Sequence, residues 1–220
     1  MCFSAQADLL GGIVVGAIGV DVVRHVDRRH DQAMVAALPL LFAAHQLVEA
    51  FVWWGLQGHV AASVGRAAMW MYLLFAFVVL PVYVPTAVCV LEPRGRRRAA
   101  MIAFIGLGAL VSGMLLDAMV RGPVTATLAH YHVRYGVGLH SGTLIVVAYV
   151  VATCGSLVFS GYRDIAIFGV VNLVAVALLA RLEVDGFASL WCGWAAVTSG
   201  AIALHIRLGR AHPSLSHAAT

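Results

Sequence analysis

The sequence predicts an all-α fold, a seven-transmembrane-helix bundle with its N-terminus outside and its C-terminus cytoplasmic. Composition is the first observation, because 62% of the 220 residues are hydrophobic, only 11% are charged and the mean hydropathy is +0.93. Soluble domains are about half apolar and about a quarter charged, so this composition indicates an integral membrane protein. The second observation is that apolar runs of about 20 residues, the length that spans a bilayer, follow one another along the chain.

Seven apolar segments are predicted to be spanning helices, because polar or turn-forming stretches separate them. They cover residues 4–24, 33–57, 67–91, 99–120, 137–159, 164–181 and 185–208. Together they form one membrane domain over residues 1–210, and residues 211–220 are predicted to be a disordered cytoplasmic tail. The opening residues carry neither the basic segment nor the cleavage site of a removed signal peptide, so we expect the first span to be retained.

The positions of the arginines predict the orientation, since basic residues favour the cytoplasmic side. With the N-terminus outside, ten arginines lie on the cytoplasmic side and four lie outside. Topology and contact with anionic lipid then explain the net charge of +4, and no nucleic-acid partner is expected. We therefore expect a multi-pass protein of the cytoplasmic (inner) membrane, whose partners are the lipid bilayer and either a second copy or another membrane protein.

The second span carries titratable groups within an apolar stretch. A period of 3.6 residues places one stripe of side chains on a single face, namely Phe42, His45, Gln46, Glu49 and Trp53. An unpaired ionisable group at mid-membrane costs about 3 kcal/mol or more, so this stripe is expected to face the bundle interior. At 1.5 Å per residue, Glu49 lies about 6 Å nearer the outside than His45.

Further polar residues fall on the same outer half when the spans alternate in direction. They are Asp8, Asp117, His130, His132, Arg134, Tyr135, His140, Arg181, Glu183 and Asp185. The predicted functional site is an outward-facing polar pocket centred on Glu49 and His132.

Five motifs carry a resemblance to a known family: MCFSA at the start, HQLVEAFVW (45–53), HVRY (132–135), AYVVAT (148–153) and SLWCGWAA (189–196). In this order they resemble an uncharacterised bacterial family of small multi-pass membrane proteins that begin Met-Cys-Phe-Ser-Ala. The resemblance covers nearly the whole chain and implies no activity. It implies a shared core of Cys2, Ser4, Glu49, Trp53, His132, Tyr135, Trp191 and Cys192.

The sharpest functional hypothesis is a metal-dependent site with hydrolase-like or redox chemistry at the outer membrane–water boundary. Glu49 is the expected ligand or general base, His132 the ligand or acid, and His45 and His140 the further metal ligands. One carboxylate and imidazoles suit Zn²⁺ with an open position for an activated water. Haem is less favoured, because the two histidines that would hold it, His45 and His140, differ in depth.

Other residues at the outer end complete the hypothesis. Arg134 or Arg181 is predicted to anchor an anionic substrate, with Trp53 and Trp191 beside it. Cys2 and Cys192 both fall on the oxidising side, where a disulfide, reduced cysteines packed against tryptophan, and copper ligation are the alternatives.

The alternative function is a non-catalytic structural, assembly or partner-binding membrane protein. In that interpretation, the Glu/His cluster only fixes the packing of the helices.

Overall fold

The computed structural model of the protein describes residues 4–25, 32–129, 132–138 and 142–182, together with Trp194 and Thr198. This part of the chain is mostly helical. Its elements, in order, are α1 (Ala5–His25), α2 (Ala33–Leu56), α3 (Ala62–Leu91), α4 (Arg96–Arg121), β1 (Thr125–Leu128), β2 (Val133–Gly136), α5 (Gly142–Val158) and α6 (Arg163–Leu182).

Four of these helices, α1 to α4, are long and apolar enough to cross a membrane, which indicates a membrane protein. The first six predicted helices are all present as helices. The seventh predicted span, 185–208, lies outside the described residues apart from Trp194 and Thr198, which are both helical.

A β-hairpin, which was not predicted from the sequence, lies between α4 and α5 of this mostly helical chain. Its antiparallel strands pair Thr125 with Gly136 and Leu128 with Val133. Pro123 lies just beyond the end of α4 and has no backbone N–H to continue a helix. Because residues 133–136 form a strand, α5 begins at Gly142 and not at 137 as predicted.

Two of the described helices contain π-helical segments, Leu74–Val79 within α3 and Val151–Gly155 within α5. A π-helical segment disturbs the regular backbone hydrogen bonding of an α-helix. Side chains of neighbouring helices bond to the segment in α3, since Tyr149 donates to the carbonyl of Ala76 at 2.7 Å and Ser112 to that of Val78 at 2.8 Å. The irregular backbone is therefore tied into the bundle.

Helices α1 and α2 are antiparallel and pack closely through small residues. A methyl group added at Gly12 would come within 2.8 Å of Leu47, and one added at Gly19 within 2.8 Å of Leu40. Glycines at these two positions therefore allow the helices to approach closely. Gly11 lies against Gln46. Asp8 is about one turn before Gly11 on α1 and Glu49 about one turn after Gln46 on α2, so in this antiparallel pair the two acids lie at the same level.

The main apolar core lies at the end of the bundle that carries the hairpin, which we call the hairpin end. Its fully buried members come from α1, α2, α3, α4 and β2, and they are Ala5, Val52, Trp53, Ala68, Met69, Tyr72, Leu73, Met119 and Val133. The hairpin therefore closes this end of the bundle over the stripe of α2.

Candidate functional site

The stripe predicted on α2 faces the interior of the bundle. His45 is 5% exposed and Glu49 is 0% exposed, while Gln46 and Trp53 are also buried. All four residues lie on α2, whose other faces are apolar. If the stripe faced outward, its ionisable groups would lie in lipid. The sequence prediction for this face is confirmed.

Aromatic rings connect α2 to the hairpin. The ring of His45 stacks on Tyr72 with centroids 4.0 Å apart, and Tyr72 stacks on Tyr135 with centroids 4.6 Å apart. Phe75 lies on α3 with its centroid 4.7 Å from that of His45. The three stacked rings form a column from the hairpin into the bundle.

Strand β2 directs alternate side chains towards this column. Val133 is 1% exposed, Arg134 is exposed, and Tyr135 is half-buried, as expected for side chains that alternate between the two faces of a strand. The Tyr135 hydroxyl donates to Oε1 of Glu49 at 3.4 Å, which is long for an O–H···O bond. Arg134 therefore lies on the face opposite to the residue that reaches Glu49.

Two carboxylates are buried at the same level of the α1–α2 pair. Asp8 is 1% exposed and Glu49 is 0% exposed, and the contact of Gly11 with Gln46 sets the register that brings the two acids to one height. Charges withdrawn from water are costly unless opposite charges or hydrogen bonds offset them. Buried as they are, these two carboxylates need opposite charge or hydrogen-bond donors around them.

Three buried ring nitrogens have no hydrogen-bond partner among the described residues: Nδ1 of His45, Nε1 of Trp53 and Nε2 of His132. These residues are 5%, 5% and 8% exposed, respectively. An unsatisfied buried polar group costs about 1–3 kcal/mol. An imidazole nitrogen can also give its lone pair to a cation, whereas the indole N–H of Trp53 can only donate. The described site thus retains bonding capacity for a small polar or charged ligand.

We use the name polar cluster for Asp8, His45, Glu49, Trp53, His132 and Tyr135. It contains four residues predicted for the site from the sequence, namely His45, Glu49, Trp53 and His132. The structure brings them to one end of the bundle.

The other predicted site residues are placed differently. Arg134 is exposed, and the Arg181 side chain lies outside the described part of the chain. The predicted ligand His140, the predicted substrate contact Trp191, and Cys2 and Cys192 of the suggested disulfide also lie outside the described residues.

The described residues do not by themselves assemble a metal centre. Within residues 4–25, 32–129, 132–138 and 142–182, no group of three or more His, Cys, Asp or Glu side chains is arranged to hold a metal ion. Of the predicted metal ligands, His45, Glu49 and His132 are therefore buried at one end but do not form a three-residue set.

Tyr72 is the member of the aromatic column that the sequence did not indicate. It lies in the apolar segment MWMYLLFAF, where nothing distinguishes it from Tyr83 on the same helix. Only the packing of α3 against α2 reveals that Tyr72, at 1% exposure, separates His45 from Tyr135.

Comparison with known proteins identifies a family whose function is unknown. The family described as "Family of unknown function (DUF6629)" matches residues 1–218. No curated protein and no solved structure matches the chain. A family of unknown function is what the resemblance in the sequence implied. Since the match covers nearly all of the 220 residues, the chain belongs to DUF6629.

Proposed function

We propose that the protein binds a cation in the polar cluster, with Glu49 as its principal ligand, on the outer side of a bacterial cytoplasmic membrane. In this proposal the chain crosses the membrane seven times, with its N-terminus outside. The arginines support that orientation: Arg66 and Arg121 lie at the hairpin end, whereas four arginines at positions 94–98 lie at the opposite end. Basic residues favour the cytoplasmic side, so the hairpin end faces out.

The burial of Asp8 and Glu49 at one level is the observation that carries the proposal. A cation between two such carboxylates offsets the cost of keeping both ionised away from water. Nδ1 of His45 and Nε2 of His132, which have no partner among the described residues, add lone pairs that suit the same charge.

The aromatic rings of the column favour a cation as well. The faces of tyrosine rings attract positive charge within about 6 Å of the centroid. Both faces of the Tyr72 ring are stacked, against His45 and against Tyr135, so the outer face of Tyr135, whose hydroxyl donates to Glu49, is the face that would attract the cation. The cation would be a protonated amine, or a metal ion that takes a further ligand such as His140 from outside the described residues.

With a divalent metal such as Zn²⁺, the site would support hydrolysis, because the ion lowers the pKa of a bound water. Glu49 would then act as ligand or general base and His132 as ligand or acid, with His45 and His140 as additional ligands. Arg134 or Arg181 would anchor an anionic substrate at the membrane surface beside Trp53 and Trp191.

Thermal unfolding with added cations tests the proposal. The wild type, Asp8→Asn and Glu49→Gln are purified in detergent, and their metal content is measured by elemental analysis. Each protein is then melted with zinc chloride and, separately, with methylammonium chloride. A bound cation at 100 times its Kd stabilises the folded state by about 2.7 kcal/mol. We expect this stabilisation in the wild type and its loss in both variants.

Asp117→Asn is the matched control, because this carboxylate lies at the same end of the bundle but its side chain is 57% exposed. It should respond to cations as the wild type does. A response to zinc alone identifies a metal site, and a response to methylammonium alone identifies an amine site. The absence of metal and of any cation response in the wild type would refute cation binding.

A structural role for the cluster is the second candidate function. It is favoured by the hairpin contacts, since Val133 is buried in the core and Tyr135 bonds to Glu49. In this case Glu49→Gln lowers the unfolding temperature without any effect of cations. The partners would be lipid and either a second copy or another membrane protein.

A further inference from the structure

The end of the bundle opposite the hairpin is built around a buried acid. Glu92 is 2% exposed, and its Oε1 accepts hydrogen bonds from the Ser160 hydroxyl at 2.6 Å and from the Gly161 backbone N–H at 2.7 Å. These bonds join the α3–α4 loop to the α5–α6 loop. Arg97 reinforces the junction by donating to the Ser160 carbonyl at 3.3 Å.

The α3–α4 loop and the first residues of α4 and α6 present a dense set of arginines, which we call the arginine platform. Its members are Arg94, Arg96, Arg97, Arg98 and Arg163. All of them except the half-buried Arg98 are exposed. The five arginines outnumber the two acids beside them, the buried Glu92 and the exposed Asp164, so the platform carries a net positive charge.

The platform lies directly at the ends of apolar helices. Helix α3 ends at Leu91 and α4 begins at Arg96, so the arginines follow one membrane-length segment and open the next. This position puts them at the depth of lipid headgroups. Helix α4 begins without a side-chain cap, and its first N–H groups together with its positive dipole end favour an anionic oxygen there.

We propose that the arginine platform binds the phosphodiester headgroup of an anionic phospholipid. Clustered arginines next to a membrane span attract anionic lipid, and the guanidinium group matches the geometry of phosphate oxygens. Glu92 positions the platform by holding the two loops together. This inference concerns the opposite end of the bundle and does not depend on the polar cluster or on the orientation of the chain.

Lipid retention measured by native mass spectrometry tests the proposal. The wild type and an Arg94→Gln/Arg96→Gln double variant are reconstituted in nanodiscs of phosphatidylglycerol and phosphatidylcholine in equal amounts and then released for analysis. Removing two arginines should weaken the preference for phosphatidylglycerol by about 30-fold, which is about 2 kcal/mol. The control is an Arg66→Gln/Arg121→Gln double variant, which removes two exposed arginines at the hairpin end.

The control variant should retain phosphatidylglycerol like the wild type. Excess inorganic phosphate is added in a parallel experiment, and displacement of lipid by phosphate at low millimolar concentration would assign the site to free phosphate instead. Equal retention of the two lipids by the wild type would overturn the proposal, as would equal losses in the two double variants. Melting of each variant in neutral detergent verifies that it is folded.

Discussion

Two buried glutamates, one towards each end of the bundle, are held in different ways. Glu92 accepts hydrogen bonds of 2.6 and 2.7 Å from a hydroxyl and a backbone N–H, whereas the bond from Tyr135 to Glu49 is 3.4 Å long. Buried nitrogens without partners in the described structure share the hairpin end with Glu49. Short bonds to a hydroxyl and a backbone N–H indicate a structural role for Glu92, whereas the buried nitrogens near Glu49 are the feature that favours a ligand at the hairpin end.

The largest effect on stability is expected from Glu92→Ala. Hydrogen bonds to a charged group contribute about 1.5–3 kcal/mol each, so losing both should lower the free energy of unfolding by roughly 4 kcal/mol. The unfolding temperature would fall by roughly 10 °C. Ser160→Ala removes one of the two bonds and should show about half of this loss.

The stabilities of the two glutamate sites are compared by thermal melts of Glu92→Ala, Ser160→Ala and Glu49→Gln, all without added cations. The Gln variant should lose much less stability than Glu92→Ala, because its amide can still accept from Tyr135. Equal losses at the two sites would mean that Glu49 is as structural as Glu92.

A smaller effect is expected from Tyr135→Phe, which deletes the long bond to Glu49 but keeps the ring stacked on Tyr72. We expect a loss of about 0.5 kcal/mol, at the low end for hydrogen bonds, measured by thermal melting. Tyr162→Phe is the matched control, because that hydroxyl donates to the Leu91 carbonyl at 3.3 Å at the opposite end. A loss above about 2 kcal/mol for Tyr135→Phe alone would favour the structural role of the cluster.

The smallest effect is expected from Arg121→Gln. Arg121 pairs with Asp117 one turn earlier at 2.6 Å, but both side chains are largely exposed, at 80% and 57%. Exposed pairs of this kind contribute about 0.3–0.5 kcal/mol, and high salt should abolish the difference from wild type. A larger loss of stability that persists at high salt would show that exposed charges at the hairpin end stabilise the fold as much as buried ones do.

The helix positions and the buried face of α2 could be predicted from the sequence, because both follow from hydrophobic periodicity. The predicted start of α3 at 67 was late, since Arg66 lowers the local hydropathy without ending the helix that begins at Ala62. The hairpin was missed because Thr125–Leu128 and Val133–Gly136 are four residues each and too short for a clear alternating pattern.

The contacts that define the two glutamate sites could not be predicted from hydrophobic periodicity. Glu92 lies in an arginine-rich loop, where an acid is ordinarily solvated, and its partners Ser160 and Gly161 are 68 and 69 residues away. The stacking of Tyr72 between His45 and Tyr135 likewise depends on which helices are neighbours. A single sequence does not specify such long-range pairings.

The π-helical segment Leu74–Val79 also affects how α3 tolerates changes in length. A π-bulge amounts to one residue more than an α-helix needs over the same rise, while each residue of an α-helix turns the chain by about 100°. Deleting one residue inside this segment would return it to α-helix and leave Tyr72 and Tyr83 on their present faces. A deletion elsewhere in α3 would rotate one half of the helix against the other, so a one-residue deletion should be tolerated best within this segment.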